Sequence, residues 1–245
     1  MSLNNLKILV TRPSHQSEPL CKLVESYGGE AIRLPVINIV KSNNNWQDND
    51  FNSFDMAIFI SSNAVEHTLS NINLSKKLKL FAVGKTTAKT MQKHKLTPLC
   101  PPPPFNSEAL LLMPQLQNIA NKKIVIFRGE GGRELLANTL QQRGAYVKYI
   151  PVYKRVRPLT PINDIYADIV TITSGEGLEN LLIMLDKYKW VQENPMVVIS
   201  ERLSVKAKQL GIQAPIFVAS TASDEGILMA ILQAAKECAC NNIDN

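Results

Sequence analysis

Short apolar runs without polar alternation recur along the chain. Ile8–Val10, Met56–Ile60 and Leu80–Val83 are bounded by Thr, Ser, Gly or Pro, and Ile124–Phe127, Ile169–Ile172 and Met196–Ile199 have the same form. Such runs fit parallel strands covered on both faces. Between them lie patterns of helical period, at Glu18–Tyr27, Asn63–Leu69, Thr86–His94, Glu134–Arg143, Glu176–Leu185 and Leu203–Leu210. Thr173-Ser-Gly-Glu176 has capping-box spacing, and Asn63 with Glu66 is a looser version. Gly28, Gly144 and Gly211 stand where helix C-termini are expected. Strand alternating with helix predicts an α/β fold with parallel sheets.

The pattern is written twice. KILVTRP at 7–13 matches KIVIFRG at 123–129, and YGGEAIRLPVINIV at 27–40 matches RGAYVKYIPVYKRV at 143–156. DMAIFISSNAVEHTL at 55–69 matches DIVTITSGEGLENLL at 168–182. FAVGKTTAKTMQKHKL at 81–96 matches VVISERLSVKAKQLGI at 197–212, and Ser107-Glu-Ala-Leu-Leu matches Asp224-Glu-Gly-Ile-Leu. The matches keep their order and nearly one offset, so two similar three-layer α/β lobes with parallel sheets are predicted.

The extended runs Leu34–Val40 and Tyr149–Val156 each hold a Pro-Val and lead into polar or proline-bearing segments, SNNNWQDNDFNS at 42–53 and RVRPLTPIN at 155–163. A two-stranded connector is therefore expected at 39–44 and 151–159. Residues 1–38 and 160–245 would form one discontinuous lobe, with 45–150 inserted as the other. Pro98–Pro104 reads as a stiff surface loop.

Composition narrows the function. The 245 residues are 45% apolar and 20% charged, which excludes disorder for most of the chain. The longest apolar runs, such as Ala109–Met113, fall far short of the ~20 residues of a membrane span. Lys7-Ile-Leu-Val-Thr-Arg-Pro has too few apolar residues for a secretory leader, so none is expected. Cys21, Cys100, Cys238 and Cys240, with His15, His67 and His94, show no zinc spacing. A reduced cytoplasmic protein without metal or disulfide framework is the simplest reading. The formal net charge is +6. Residues 45–148 hold 13 Lys and Arg against 7 Asp and Glu, and the rest of the chain holds 14 of each. The whole basic excess thus sits in one repeat, which points to an acidic partner.

In open α/β sheets ligands bind beyond the carboxyl ends of the strands. The residues that follow the predicted strands are Thr11-Arg12, Ser61-Ser62-Asn63, Gly84-Lys85-Thr86-Thr87, Arg128-Gly129-Glu130-Gly131-Gly132-Arg133, Thr173-Ser174-Gly175 and Ser200-Glu201-Arg202. Small residues there leave backbone N–H groups open at helix N-termini, and Lys85, Arg12, Arg128, Arg133 and Arg202 add charge that suits carboxylates. Each Ser, Thr or Asn is equally readable as a helix cap. Arg128-Gly-Glu-Gly-Gly is neither a Walker loop nor a dinucleotide fingerprint. Tyr153 stands apart, because its repeat equivalent is Ile37. A phenol can give or take a proton at a leaving hydroxyl. No Ser/His/Asp set or paired-carboxylate site emerges. A two-lobed binding module without chemistry, and nucleic-acid binding through the basic lobe, are the other readings. The second lacks aromatic–basic interleaving.

The chain resembles the uroporphyrinogen-III synthase family. The resemblance rests on ILVTRP at 8–13, Leu34-Pro35-Val36, FISSNAV at 59–65, AVGKTTA at 82–88 and LQNIANKKIVIFRGEGGRELLANTLQQRGA at 116–145. It continues in PVYKR at 151–155, ITSGEGL at 172–178 and VISERL at 198–203. It runs from Ile8 to about Leu232, and the 116–145 stretch looks most like the gammaproteobacterial branch.

The resemblance implies a bilobal fold with its active site in the cleft between lobes. It implies conversion of hydroxymethylbilane, which carries an acetate and a propionate on each of four pyrroles, to uroporphyrinogen III. Water is lost, the last pyrrole is inverted, and no cofactor or metal is used. Tyr153 matches the tyrosine that assists hydroxyl departure. The substrate-binding set would be Arg12, Ser61, Ser62, Lys85, Thr86, Thr87, Arg128, Gly129, Arg133, Ser174, Gly175, Ser200 and Arg202. A monomer is expected, with possible transient hand-over of substrate from hydroxymethylbilane synthase, and neither nucleic acid nor membrane as partner. One departure is visible: Ser200-Glu201-Arg202-Leu203 stands where many members have a Gly-Pro-Thr-Thr-like turn, which leaves Arg202 to meet a carboxylate there.

Overall fold

The computed structural model describes residues 2–43, 45–46, 51–132, 134–159 and 162–241, apart from the side chains at 15 and 238–241. In chain order the elements begin with β1 (Lys7–Val10), α1 (Ser14–Ser26), β2 (Glu30–Arg33) and β3 (Asn38–Lys41). Next come β4 (Met56–Phe59), α2 (Ser62–Leu69), β5 (Lys79–Ala82), α3 (Lys85–Lys93) and α4 (Ser107–Leu111). Then follow β6 (Lys123–Gly129), α5 (Leu135–Gln142), β7 (Tyr146–Val156), β8 (Ile169–Ile172) and α6 (Gly175–Met184). The chain closes with α7 (Trp190–Glu193), β9 (Met196–Val198), α8 (Glu201–Gln209), β10 (Ile216–Val218) and α9 (Asp224–Asn241).

The chain divides into two compact units. The first comprises Met1–Asn38 and Val156–Asn245, the second Ile39–Arg155. The first holds the sheet β10-β9-β8-β1-β2, and the second holds β3-β7-β6-β4-β5. Every pairing among β1, β2, β8, β9 and β10 is parallel, as are β4 with β5, β4 with β6 and β6 with β7. Four strands of each sheet match along the repeat, β1 with β6, β2 with β7, β8 with β4 and β9 with β5, while β3 is an added edge strand of the second sheet. The place of β10 is taken in the second unit by a parallel bridge from Phe81 to Leu99. That bridge draws the start of the expected Pro98–Pro104 surface loop onto the sheet edge.

The unbroken apolar runs have a direct cause. In the second unit Ala57, Phe59, Val125 and Phe127 face a core closed by α2 and α3, while Met56, Ile58, Ile124 and Ile126 face one closed by α4 and α5. Both faces of β4 and β6 are therefore dry, and alternation disappears. Phe59 and Phe127 stack with ring centres 4.9 Å apart. In the first unit Ile8, Val10, Ile169 and Val197 pack against Leu20 and Val24 of α1 and Ile227 and Ile231 of α9.

Several local expectations are corrected. The cap of α6 is Ser174, whose Oγ accepts from Gly177 N at 3.0 Å, rather than Thr173 in a box with Glu176. The cap of α2 is Ser61, accepting from Ala64 N at 3.1 Å, rather than Asn63. In both cases the serine backbone is still extended, so the helix starts at the next residue. The polar stretch 42–53 is not a bare linker: Trp46 and Phe51 are buried and meet the Phe127 ring edge-on or tilted. The run Leu34–Val40 is not one strand, because β2 ends at Arg33 and β3 begins at Asn38. Its twin continues unbroken as β7. Pro151 has no N–H for the ladder, and the register with β6 shifts there, Arg128 facing Pro151 and Gly129 facing Tyr153. Gly28, Gly144 and Gly211 do adopt left-handed φ values of 76°, 82° and 92°.

Candidate active site

The second unit gathers its polar residues at the carboxyl ends of β4, β6 and β7. Tyr153 is 3% exposed and belongs to the core under α2 and α3. Its hydroxyl lies 3.2 Å from Ser61 Oγ. Its ring passes so close to Gly129 that a Cβ at that position would sit 2.7 Å from Tyr153 Cζ. The His67 ring stacks on it with centres 5.8 Å apart. The Tyr153 carbonyl accepts from Glu130 N at 2.9 Å, and the Glu130 carboxylate accepts from Ser42 Oγ at 2.7 Å.

Arg128, 4% exposed, turns back on its own loop. Its Nη1 donates to Glu134 at 3.2 Å, its Nη2 donates to the Gly131 carbonyl, and its guanidinium lies 4.3 Å from the centre of the Tyr149 ring. Gly131 and Gly132, with φ of 73° and 100°, make the turn that brings that carbonyl within reach. Burial pushes the Tyr149 phenol above its usual range, the largest influence on it, so it stays protonated at neutral pH. Arg128, Gly129, Glu130, Tyr149, Tyr153 and the exposed Arg155 line a cavity of about 260 Å³. Lys85 and Thr86 are exposed at the start of α3 and Thr87 is buried beneath it; none of them lines this cavity. Ser62 is the first residue of α2, beside the Ser61 cap. Arg133 lies outside the described residues.

The first unit holds the other predicted residues. Arg12 Nη1 pairs with Asp224 at the start of α9, and its Nη2 donates to the Ala222 carbonyl at 3.2 Å. Its charge is thus already met by protein. Ser174 and Ser200 are helix caps, the latter accepting from Leu203 N at 3.4 Å. With Gly175, Arg202 and Lys206 they line a cavity of about 320 Å³ between the starts of α6 and α8. Lys206 Nζ is 2.7 Å from Glu179, whereas Arg202 is exposed. A larger cavity of about 660 Å³ runs along β2 and contains none of the predicted residues.

The predicted residues therefore separate into two strand-end clusters, one per unit. Several functions proposed for single side chains turn out to be structural as well: three serines cap helices and two arginines brace loops. Residues that strand-end reasoning passed over are Tyr149 and Arg155. Arg155 belongs to the PVYKR motif, so the motif held that signal. The Gly129–Tyr153 approach also had one, since Pro13 and Ile37 replace both residues in the other copy. Among the described residues no group of three or more His, Cys, Asp and Glu is placed to hold a metal ion. No helix among them is long and apolar enough to cross a membrane. The second cluster offers a buried phenol with hydrogen-bonding neighbours and cationic groups beside a cavity. That set suits proton delivery to a hydroxyl and the holding of anionic substituents.

Comparison with known proteins points the same way. The family model described as "Uroporphyrinogen-III synthase HemD" matches residues 18–229. The uroporphyrinogen-III synthase of Escherichia coli K12 is 32% identical over 92% of this chain and 100% of its own length. That of Salmonella typhimurium LT2 is 32% identical over the same shares. The crystal structure of uroporphyrinogen-III synthetase from Helicobacter pylori 26695 superposes with a TM-score of 0.65 at 17% identity, covering 94% of this chain and 99% of that one, and shares the fold. The chain belongs to the uroporphyrinogen-III synthase family.

Proposed function

We propose that this chain closes hydroxymethylbilane to uroporphyrinogen III, a cyclising lyase reaction of tetrapyrrole biosynthesis. The observation that carries this is family membership over nearly the full length, at 32% identity to a complete enzyme of that name. The site agrees with it. Loss of water from a hydroxymethylpyrrole is assisted by the pyrrole nitrogen, so the protein needs no strong nucleophile. Its harder task is to hold a flexible polyanion so that the last ring attacks through the α-carbon that leaves it inverted.

In this reading Tyr153 delivers its phenolic proton to the departing hydroxyl. Arg155 and the backbone of Gly129–Gly132 receive carboxylates in the second unit, with Arg128 bracing the loop that presents that backbone. Ser174, Gly175, Ser200 and Arg202 receive carboxylates in the first, and Lys85, Thr86 and Ser62 do so in the second at the starts of α3 and α2. Arg12, tied to Asp224, acts through the loop it braces. The segments 39–44 and 151–159 serve as the hinge, and the enzyme works in the cytoplasm as a monomer without added cofactor, receiving its substrate by transient hand-over.

The test is turnover of freshly prepared hydroxymethylbilane, with the porphyrin isomers separated after oxidation. The expected product is isomer III in excess of spontaneous isomer I. Isomer I alone would contradict the proposal.

A further inference from the structure

Three residues of the second unit hold one ring. Ser61 Oγ lies 3.2 Å from Tyr153 Oη, and the same Oγ accepts from Ala64 N at 3.1 Å as the cap of α2. That second bond matters. It fixes one Ser61 lone pair on the helix, so the hydroxyl keeps its own proton to donate. Gly129 presses the ring from below: a Cβ there would lie 2.7 Å from Cζ and 3.1 Å from Oη. His67 covers the ring face.

The other copy serves as an internal control. There Ser174 caps α6 in the same way, but the residues that match Gly129, Tyr153 and His67 are Pro13, Ile37 and Asn180. Asn180 is used differently, donating to the Val36 carbonyl at 2.9 Å. Ile37 approaches the same turn of α6, its Cδ1 being 3.9 Å from where a Gly177 Cβ would stand. The capping serine is common to both copies. The space for a ring, the ring and its covering imidazole belong to one.

We propose that Ser61 is a positioning residue for Tyr153, and that it donates its proton to Tyr153 Oη as the phenol gives its own away. The inference rests on the catalytic reading of Tyr153 above. In the step, the Tyr153 proton moves to the hydroxyl oxygen of the substrate. The carbon–oxygen bond breaks with its electron pair on oxygen, and water leaves. The phenolate then carries the charge, and the Ser61 hydroxyl stabilises it by a charge-assisted hydrogen bond. The last pyrrole exchanges its bond to the neighbouring bridge carbon for one to that carbon, its free α-carbon bonds the vacated bridge carbon, and the proton lost there restores the phenol.

The experiment is a kinetic cycle with Ser61→Ala, Tyr153→Phe and the double variant, reading kcat and KM separately. Ser61→Ala is expected to lower kcat about ten-fold and leave KM within about two-fold, with no further loss in the Tyr153→Phe background. Ser61→Thr, which keeps both the cap and a donor, should restore kcat to within about three-fold. Should Ser61→Ala fold poorly, Ser61→Asp retains the helix cap without a proton to donate and should show the same kcat loss. The proposal is overturned if the serine substitution costs as much in the Tyr153→Phe background as in the parent, since that is the behaviour of a cap alone. A rise in KM with kcat unchanged overturns it in favour of a substrate contact. An unchanged kcat in Tyr153→Phe alone removes the catalytic reading and this inference with it.

Discussion

The two copies put different residues on the same frame. At the end of the β1–β2 edge the first unit has Pro13 and Ile37; at the matching place the second has Gly129 and Tyr153. Both Ile37 and Tyr153 are buried, at 8% and 3% exposure, so the frame accepts either. A phenol in that place is not needed for packing. The arginines teach the converse. Arg12 and Arg128 are repeat equivalents, and each is drawn into its own unit, one by Asp224 and the Ala222 carbonyl, the other by Glu134 and the Gly131 carbonyl. What the copies share is the bracing of strand-end loops. What they do not share is the chemistry at the helix start.

Substitutions that move one copy toward the other test this. The largest effect is expected for Gly129→Ala, whose new Cβ would displace the Tyr153 ring. Overpacking should cost about 1–3 kcal/mol of stability, and misplacing the phenol should lower kcat about ten-fold, as much as removal of its hydroxyl. Chemical denaturation and steady-state kinetics on the same preparation measure both; a variant as active as the parent would show that the ring can shift without consequence. Next is Arg128→Gln, which removes a buried cation from its loop. A loss of about 2 kcal/mol is expected, with a raised KM as the cavity wall loosens. The corresponding Arg12→Gln, at a more exposed pair, should cost about 1 kcal/mol. Equal losses at the two positions would erase the distinction.

A smaller effect concerns a device present in both units. Asp55 accepts from Lys123 N at 2.9 Å and from Lys122 Nζ at 3.1 Å, and Asp168 accepts from Lys7 N at 2.7 Å at the matching strand start. The Lys123 N–H, then the Lys122 ammonium, hold the Asp55 carboxyl below its usual value of 3.8. A lowered folded-state pKa stabilises the fold above the unfolded-state value and is lost as pH falls through the folded one. Asp55→Asn should therefore cost about 0.5–1 kcal/mol at neutral pH, after allowance for solvent screening, and flatten the fall in stability below about pH 4. Urea midpoints between pH 3 and 7 test it; parallel curves for the two proteins would refute it. The smallest effect is at Lys95, which holds a left-handed φ of 60° where its twin is Gly211 at 92°. Lys95→Gly should be neutral or stabilising by up to about 1 kcal/mol, because a side chain disfavours that conformation. A clear drop in melting temperature would show that the lysine is otherwise needed.

Much of this frame was readable from the chain alone. The apolar runs marked the buried strands because both their faces are dry, and the repeat matched each strand with its partner. The break at Leu34–Val40 was hidden, since an extended run looks the same whether it pairs in one sheet or divides between two. Trp46 and Phe51 were hidden by the asparagines around them. In the site, the chemistry-bearing residues were found through strand ends and through the odd pair Tyr153 and Ile37. Their pairings were not, because Ser61 meets Tyr153 across 92 residues and Arg12 meets Asp224 across 212. Nothing local announces such contacts.

The central claim is that one copy carries the chemistry on a frame common to both. It is tested most directly by the rate at which the parent and Tyr153→Phe convert freshly prepared hydroxymethylbilane to isomer III at saturating substrate, with melting temperatures recorded alongside. A kcat about ten-fold lower is expected in the variant, with the fold intact. An unchanged kcat would contradict it.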